Sequence, residues 1–273
     1  MGVLGLKAVF FDLDDTLLHD DLTLSAYSVS VFRKLHENHV ALIAASGRAQ
    51  QSMLPYVEQI GCIDMYISCN GAEIWDGNTH CLLCRELFPV ETALSIAQFA
   101  ESHDCYAHVY EEDRFCYNRH CIYAERYSAS ARLKGCYVGK LSEYIHEPRN
   151  KILFIDEIPK IASLYEEAAT VFDGIASVTC SKPFYLEFNP VRATKGIALS
   201  SVCSLSGFRE EDCIAIGDSL NDFSMLKKAG LSVLVSNGRE EIAPLCDYVC
   251  GTNNEDGPAR FLNEYFFRGE VVS

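Results

Sequence analysis

Short apolar runs alternate with amphipathic stretches at both ends of the chain, and a different rhythm separates them. Lys7 to Phe11 is an apolar run that stops at acidic residues, which predicts a buried strand with Asp12 at its C-terminal end. Ser25 has the chemistry of an N-cap, and Val29, Phe32 and Leu35 follow at helical spacing. His39 to Ala45 predicts a second buried strand, ending at Ser46-Gly47-Arg48. A helix then runs to Ile60 and closes at Gly61, with Pro55 expected to kink or split it. Met65 to Cys69 reads as a strand, Asn70-Gly71 is a strong hairpin signal, and Glu73-Ile74-Trp75 returns.

From about Cys81 to Glu187 the pattern predicts α+β structure. Arg85 to Phe88 leads into a helix from Val90 to His103. Strands follow at Tyr106–Tyr110 and Arg114–Tyr117, joined by the acidic turn Glu111-Glu112-Asp113. Lys151 to Ile155 is a strand, Pro159 to Thr170 a helix, and Ile175–Cys180 and Tyr185–Phe188 are further strands. The opening rhythm then resumes. Lys195 to Ser206 is helical, and Cys213 to Ile216 is a buried strand running into Gly217-Asp218. Asn221 to Ala229 is a helix stopped by Gly230, Leu231 to Val235 a strand, and a short helix follows Asn237-Gly238.

Apolar strands alternating with helices are the pattern of a parallel sheet covered on both faces. The predicted fold is therefore α/β: a doubly wound, Rossmann-like core from residues 1–82 and 188–273, with an inserted α+β cap domain at 83–187. Ligands of such sheets collect beyond the C-terminal ends of the strands. Asp12, Ser46 and Asn70 all fall there.

Composition narrows the partners. The 273 residues are 49% apolar and 22% charged, as in a globular chain long enough for a full core. The net charge of −15 disfavours nucleic acid and anionic membranes. A small anionic substrate remains compatible, because a metal ion and one lysine reverse the field locally. No apolar run reaches 18 residues and the N-terminus lacks a secretory signal pattern, so neither a membrane span nor export is expected. Thirteen cysteines scattered through apolar segments fit a reducing cytoplasm. Cys81-Leu82-Leu83-Cys84 is a lone CxxC, better read as packing than as a zinc site.

Two acidic clusters carry candidate chemistry. Asp12-Leu13-Asp14-Asp15-Thr16 sets two carboxylates at i and i+2 directly after a strand. One can attack phosphorus, and the other can protonate the leaving oxygen and then activate water. Taken alone, an Asp-rich turn is more simply a capped exit from a strand. Gly217-Asp218-Ser219-Leu220-Asn221-Asp222 repeats the arrangement, and Asp218 could complete a Mg²⁺ site with Asp12. Ser46-Gly47 can offer a hydroxyl and an amide to phosphate, and Lys195 can neutralise its oxygens. As singletons these are commonly structural.

Their order, Asp12…Ser46…Lys195…Asp218, resembles the four motifs of the haloacid dehalogenase superfamily phosphatases, and most closely the Cof-type subgroup (subclass IIB). Phe11 to Leu18, Ala45 to Arg48, Asn70-Gly71-Ala72, Thr194-Lys195-Gly196, Ser236-Asn237-Gly238 and Asn254-Glu255-Asp256-Gly257 carry the likeness. The resemblance implies Asp12 as nucleophile and metal ligand, and Asp14 as general acid/base that binds the metal through its carbonyl. It implies Ser46, Gly47, Lys195 and Asn221 as phosphate contacts, and Asp218 as a Mg²⁺ ligand with Asp222 in support at the metal. Asp15 stands where Gly is usual in the subgroup, and Ser46 where Thr is usual.

The expected activity is that of a cytoplasmic, Mg²⁺-dependent phosphatase acting on a small phosphorylated metabolite, a sugar phosphate or a phosphorylated cofactor, through an aspartyl-phosphate. A phosphomutase sharing that intermediate, or a non-catalytic binding protein on the same fold, is the alternative. Cap tyrosines (Tyr106, Tyr110, Tyr117, Tyr123, Tyr127 and Tyr185), with Arg119, Arg126 and Arg132 nearby, are expected to contribute some of a substrate recess.

Overall fold

A computed structural model describes residues 6–267, residue 112 apart. Among these residues the chain forms two sheets. The first elements are β1 (Ala8–Phe11), α1 (Ala26–Glu37), β2 (Ala41–Ala45), α2 (Gln50–Ile60), β3 (Met65–Ser68), β4 (Glu73–Asp76) and β5 (Leu82–Arg85). The middle of the chain supplies α3 (Val90–Ser102), β6 (Tyr106–Tyr110), β7 (Arg114–Tyr117), α4 (Ile122–Ala131), β8 (Lys134–Tyr137) and α5 (Leu141–Tyr144). It continues through β9 (Ile152–Ile155), α6 (Ile158–Val171), β10 (Ala176–Thr179) and β11 (Tyr185–Pro190). The last part holds α7 (Lys195–Ser206), β12 (Cys213–Gly217), α8 (Leu220–Leu226), β13 (Leu231–Val235), β14 (Tyr248–Cys250) and α9 (Gly257–Phe267).

The core sheet has the order β14-β13-β12-β1-β2-β3-β4-β5, parallel from β14 to β3 and antiparallel through β4 and β5. Strand alternation divides the central side chains between two layers. Val9 and Phe11 of β1 pack with Phe32, Leu35 and Leu262 under α1, α2 and α9. Ala8 and Phe10 pack with Leu199, Val202 and Met225 under α7 and α8. Each such phenylalanine contributes roughly 1.5–3 kcal/mol by leaving water. The doubly wound parallel core expected from the apolar rhythm is present. Its consequence is that β1, β2 and β12 end together, at one edge.

The cap is a second sheet of order β10-β11-β9-β6-β7-β8. Its Ala107, Val109 and Phe154 face α3 and α6. The opposite face presents Tyr106, Tyr110, Phe115 and Leu153, which pack with Tyr127 of α4 and with Ala49, Cys69 and Ala72 of the core. The cap thus lies directly over the strand ends.

Several local expectations change. The limits at 82 and 187 fall inside β5 and β11, because β5 extends the core sheet and β11 belongs to the cap sheet. Pro55 does not split α2, which runs unbroken from Gln50 to Ile60. The β3–β4 hairpin forms, but through a one-turn 3-10 segment at Cys69–Gly71 rather than a two-residue turn. Helix α8 ends at Leu226, before the expected Ala229. A 3-10 turn at Ala243–Leu245 stands where a short helix was expected after Gly238. Cys81 and Cys84 are both exposed, so the CxxC does not pack a core as expected. Glu112 of the acidic turn lies outside the described residues. No described helix is long and apolar enough to cross a membrane.

Candidate active site

The site is assembled where three parallel strands stop. Asp12 follows β1, Ser46 follows β2, and Asp218 follows β12. Lys195 opens α7, whose N-cap Thr194 accepts a hydrogen bond from the Ile197 amide. That cap fixes the first turn, and the lysine side chain runs inward and is wholly buried.

The Lys195 ammonium donates to Asp12 Oδ1 at 2.5 Å and to Asp222 Oδ1 at 2.5 Å. The second oxygen of Asp222 accepts the amides of Asp218 at 3.0 Å and Ser219 at 3.1 Å, closing a capping box at the start of α8. Asp222 can sit there only because residue 217 is glycine. A Cβ on Gly217 would lie 2.7 Å from Asp222 Oδ2. Asp218 Oδ1 accepts the Thr16 hydroxyl at 3.1 Å. Sequence reasoning assigned Thr16 no role.

One carboxylate oxygen from each of Asp12, Asp218 and Asp222 lies within 4.8 Å of the others. The donor set suits a hard divalent cation. Burial pushes the Asp12 carboxyl well above the usual range, against the pull of Lys195, with Asp222 and Asp218 adding to the rise. Burial, followed by Asp222, pushes Asp218 up to about 8. Burial disfavours the charged form of Lys195, but Asp12 and Asp222 outweigh it and raise its pKa. Carboxylates outnumber cations here, so a metal ion would relieve their repulsion.

Asp14 turns away from that trio. Its carboxylate takes a bidentate pair from Arg48, Nε to Oδ2 at 2.7 Å and Nη2 to Oδ1 at 2.6 Å. Nothing local to Arg48 in the sequence points to this pairing, since Asp14 lies 34 residues away. Its neighbour Ser46 is buried, and the Ser46 hydroxyl accepts the Arg48 amide at 3.1 Å. Asn221 donates its side-chain amide to Asn70 Oδ1 at 3.1 Å. Asp15 has a φ of 57°, a left-handed conformation that glycine adopts freely and Asp tolerates better than most residues.

A cleft joins these groups to the cap. Asp12, Asp14, Ser46, Gly47, Arg48, Asp218 and Asn221 line its floor, and Tyr110, Tyr127, Leu153, Lys182 and Tyr185 line its roof. The Tyr110 and Tyr127 hydroxyls are bonded to each other at 2.5 Å. Of the six cap tyrosines singled out in the sequence, Tyr110, Tyr127 and Tyr185 reach the cleft. Arg119 instead pairs with Asp104 at 2.8 Å.

Comparison with known proteins agrees with this architecture. A family model described as haloacid dehalogenase-like hydrolase matches residues 9–262. A 5-amino-6-(5-phospho-D-ribitylamino)uracil phosphatase of Bacillus subtilis is 26% identical, over 95% of this chain and 96% of its own. A pyridoxal phosphate phosphatase of Escherichia coli is 24% identical, over 94% and 97% respectively. The crystal structure of a haloacid dehalogenase-like hydrolase from Bacteroides thetaiotaomicron superposes with a TM-score of 0.87 at 24% identity, covering 96% of this chain and 100% of that one.

Proposed function

The chain belongs to the haloacid dehalogenase-like hydrolase family as a Cof-type phosphatase, and from that premise we propose that it is Mg²⁺-dependent, uses an aspartyl-phosphate, and acts on a small phosphorylated metabolite. Sugar phosphates and phosphorylated cofactors are the substrate classes, a reading supported by the phosphorylated small molecules in the names of its relatives. The observation that carries the proposal is Lys195 bridging Asp12 and Asp222, with Asp218 beside them.

In this mechanism an oxygen of Asp12 attacks phosphorus in line, and the bond to the leaving oxygen breaks as Asp14 gives that oxygen a proton. Asp14 then takes a proton from water, whose oxygen displaces Asp12 and releases inorganic phosphate. Lys195, the Ser46 hydroxyl, the Gly47 backbone and the Asn221 amide hold the equatorial oxygens. Little covalent machinery is needed beyond such positioning and charge stabilisation. Asp12 and Asp218 would hold Mg²⁺ with the Asp14 carbonyl, while Asp222, whose two oxygens are already engaged, supports the ammonium and the loop. When bound, Mg²⁺ supplies the positive charge that keeps Asp12 ionised and stabilises the transferring phosphoryl group.

All thirteen cysteines are free thiols, which supports a cytoplasmic setting. The decisive experiment is a screen of phosphorylated metabolites with and without Mg²⁺, scored by released phosphate and by product identity. Mg²⁺-dependent phosphate release is expected. A product in which phosphate has only moved along the sugar would replace hydrolase by mutase. Failure on every compound, p-nitrophenyl phosphate included, would overturn the enzyme assignment.

A further inference from the structure

Lys151, just before β9, and Glu187, in β11, form an ion pair at 2.7 Å inside the cap, with side chains 2% and 5% exposed. The mechanism above uses neither residue. Two charges removed from water cost much of what their attraction returns, and apolar residues of similar volume often serve stability as well. Their other bonds show what the pair does.

Both partners reach across the domain border. Lys151 Nζ donates to the Gly47 carbonyl at 3.0 Å. Glu187 Oε2 accepts from Asn70 Nδ2 at 2.9 Å, and Asn70 Oδ1 in turn accepts from Asn221 Nδ2 at 3.1 Å. Ser181, on the cleft wall, donates to Glu187 Oε1 at 3.0 Å. The contact is close-fitting: a Cβ on Gly47 would stand 3.0 Å from Asn70 Oδ1. Asn70 itself has a φ of 58°, a conformation L-residues rarely adopt, and its amide is tied to the Ser46 carbonyl at 3.0 Å.

We propose that the Lys151–Glu187 pair is a positioning element for the phosphate pocket, through which the seating of the cap sets the geometry of Gly47 and Asn221. The inference rests on the reading of those two residues as phosphate contacts. Lys151 holds the plane of the Gly47–Arg48 peptide, and thereby keeps the Arg48 amide on the Ser46 hydroxyl. Glu187 holds Asn70, which engages one side-chain N–H of Asn221 and leaves the other for an anion in the cleft. A cap shifted off the core would loosen both phosphate contacts together. Cap closure and phosphate affinity are then a single equilibrium.

The test uses the full chain with Mg²⁺ and inorganic phosphate as a competitive inhibitor. In Lys151→Met/Glu187→Met no buried charge is left unpaired. Thermal unfolding shows that the variant is folded, and its inhibition constant for phosphate is expected to rise at least about tenfold, the loss of one or two aligned hydrogen bonds. Its Mg²⁺ activation constant should stay unchanged, since Lys151 and Glu187 line the same cleft but bond to Gly47, Asn70 and each other rather than to Asp12 or Asp218. Asn70→Gly keeps the positive φ and removes only the relay, so it should weaken phosphate in the same direction. A folded double variant with the inhibition constant of the unaltered protein overturns the inference. Should the double variant not fold, unchanged phosphate affinity in Asn70→Gly overturns it equally. If the unaltered protein neither releases phosphate nor is inhibited by it, the functional reading falls first and this inference with it.

Discussion

Lys195 donates to Asp12 Oδ1 at 2.5 Å across 183 residues of sequence, with neither group open to solvent beyond a sliver of Asp12. Such a contact brings the first and last thirds of the chain into one site. It also makes the two side chains inseparable in function. Asp12→Asn keeps the shape but not the proposed nucleophile, so it is expected to abolish turnover and to prevent the phosphoryl adduct that mass spectrometry after rapid acid quenching should detect in the unaltered protein. Lys195→Ala leaves Asp12 and Asp222 without their shared cation. Losing one preorganised donor costs roughly 2.7–4 kcal/mol of transition-state stabilisation, so kcat should fall about 10²–10³-fold. Near-normal turnover in Asp12→Asn would reject covalent catalysis.

Asp12, Asp218 and Asp222 crowd their oxygens into a space one cation would fill. Ligand binding to the folded state raises stability by about 2.7 kcal/mol at a hundred times Kd. For a chain of this size that corresponds to a rise in Tm of about 5–10 °C. Adding Mg²⁺ to chelator-treated protein should produce such a rise, measured by differential scanning fluorimetry. Asp218→Asn should remove most of it while the protein stays folded, because Thr16 can still donate to the amide oxygen. An undiminished Mg²⁺ response in Asp218→Asn would exclude that residue as a ligand.

The strand-end carboxylates were legible in the sequence because β1 and β12 are short apolar runs that stop at acidic residues, and a parallel sheet puts such stops at one edge. The cap was legible only in outline. In α4 the buried positions are Ala124, Tyr127 and Ala131, at good helical spacing, but two of the three are alanines and the apolar contrast is weak. In β8, Lys134-Gly135-Cys136-Tyr137 is only partly buried and carries no alternation to read. Lys151 and Glu187 did leave a signal, since each is a charge set against an apolar strand. Their partners Gly47 and Asn70 lie 104 and 117 residues away, which no local pattern reveals.

Arg48 grips both oxygens of Asp14, so it orients the group proposed to exchange a proton with the leaving oxygen, and one of the two bonds must open for that exchange. Hydrogen bonds to charged groups are worth about 1.5–3 kcal/mol. Arg48→Ala should therefore lower kcat/KM by roughly 10–150-fold on an alkyl phosphate. The loss should be smaller on p-nitrophenyl phosphate, whose leaving group departs without a proton. Equal losses on both substrates would assign Arg48 to phosphate binding rather than to the acid.

His108 lies wholly buried among Tyr106, Tyr110, Phe115 and Tyr127, with neither ring nitrogen hydrogen-bonded. Burial, reinforced by Lys151, drives its pKa well below the ordinary 6.5, so the folded protein keeps the ring neutral. The unfolded chain takes up a proton there once the pH falls below about 6.5, and the folded chain does not. His108 therefore stabilises the fold fully above that pH, and its contribution drains away at about 1.4 kcal/mol per pH unit as the pH falls further. The loss continues until the pH reaches the folded-state pKa, which burial holds well below the ordinary value. His108→Phe fills the same aromatic box and cannot titrate, so the gap in unfolding free energy between it and the unaltered protein should change at that rate. Urea unfolding at about pH 7 and about pH 5 measures the gap. If the two proteins lose stability in parallel as acid is added, His108 is charged in the folded state and the cap has room for a proton that the structure denies it.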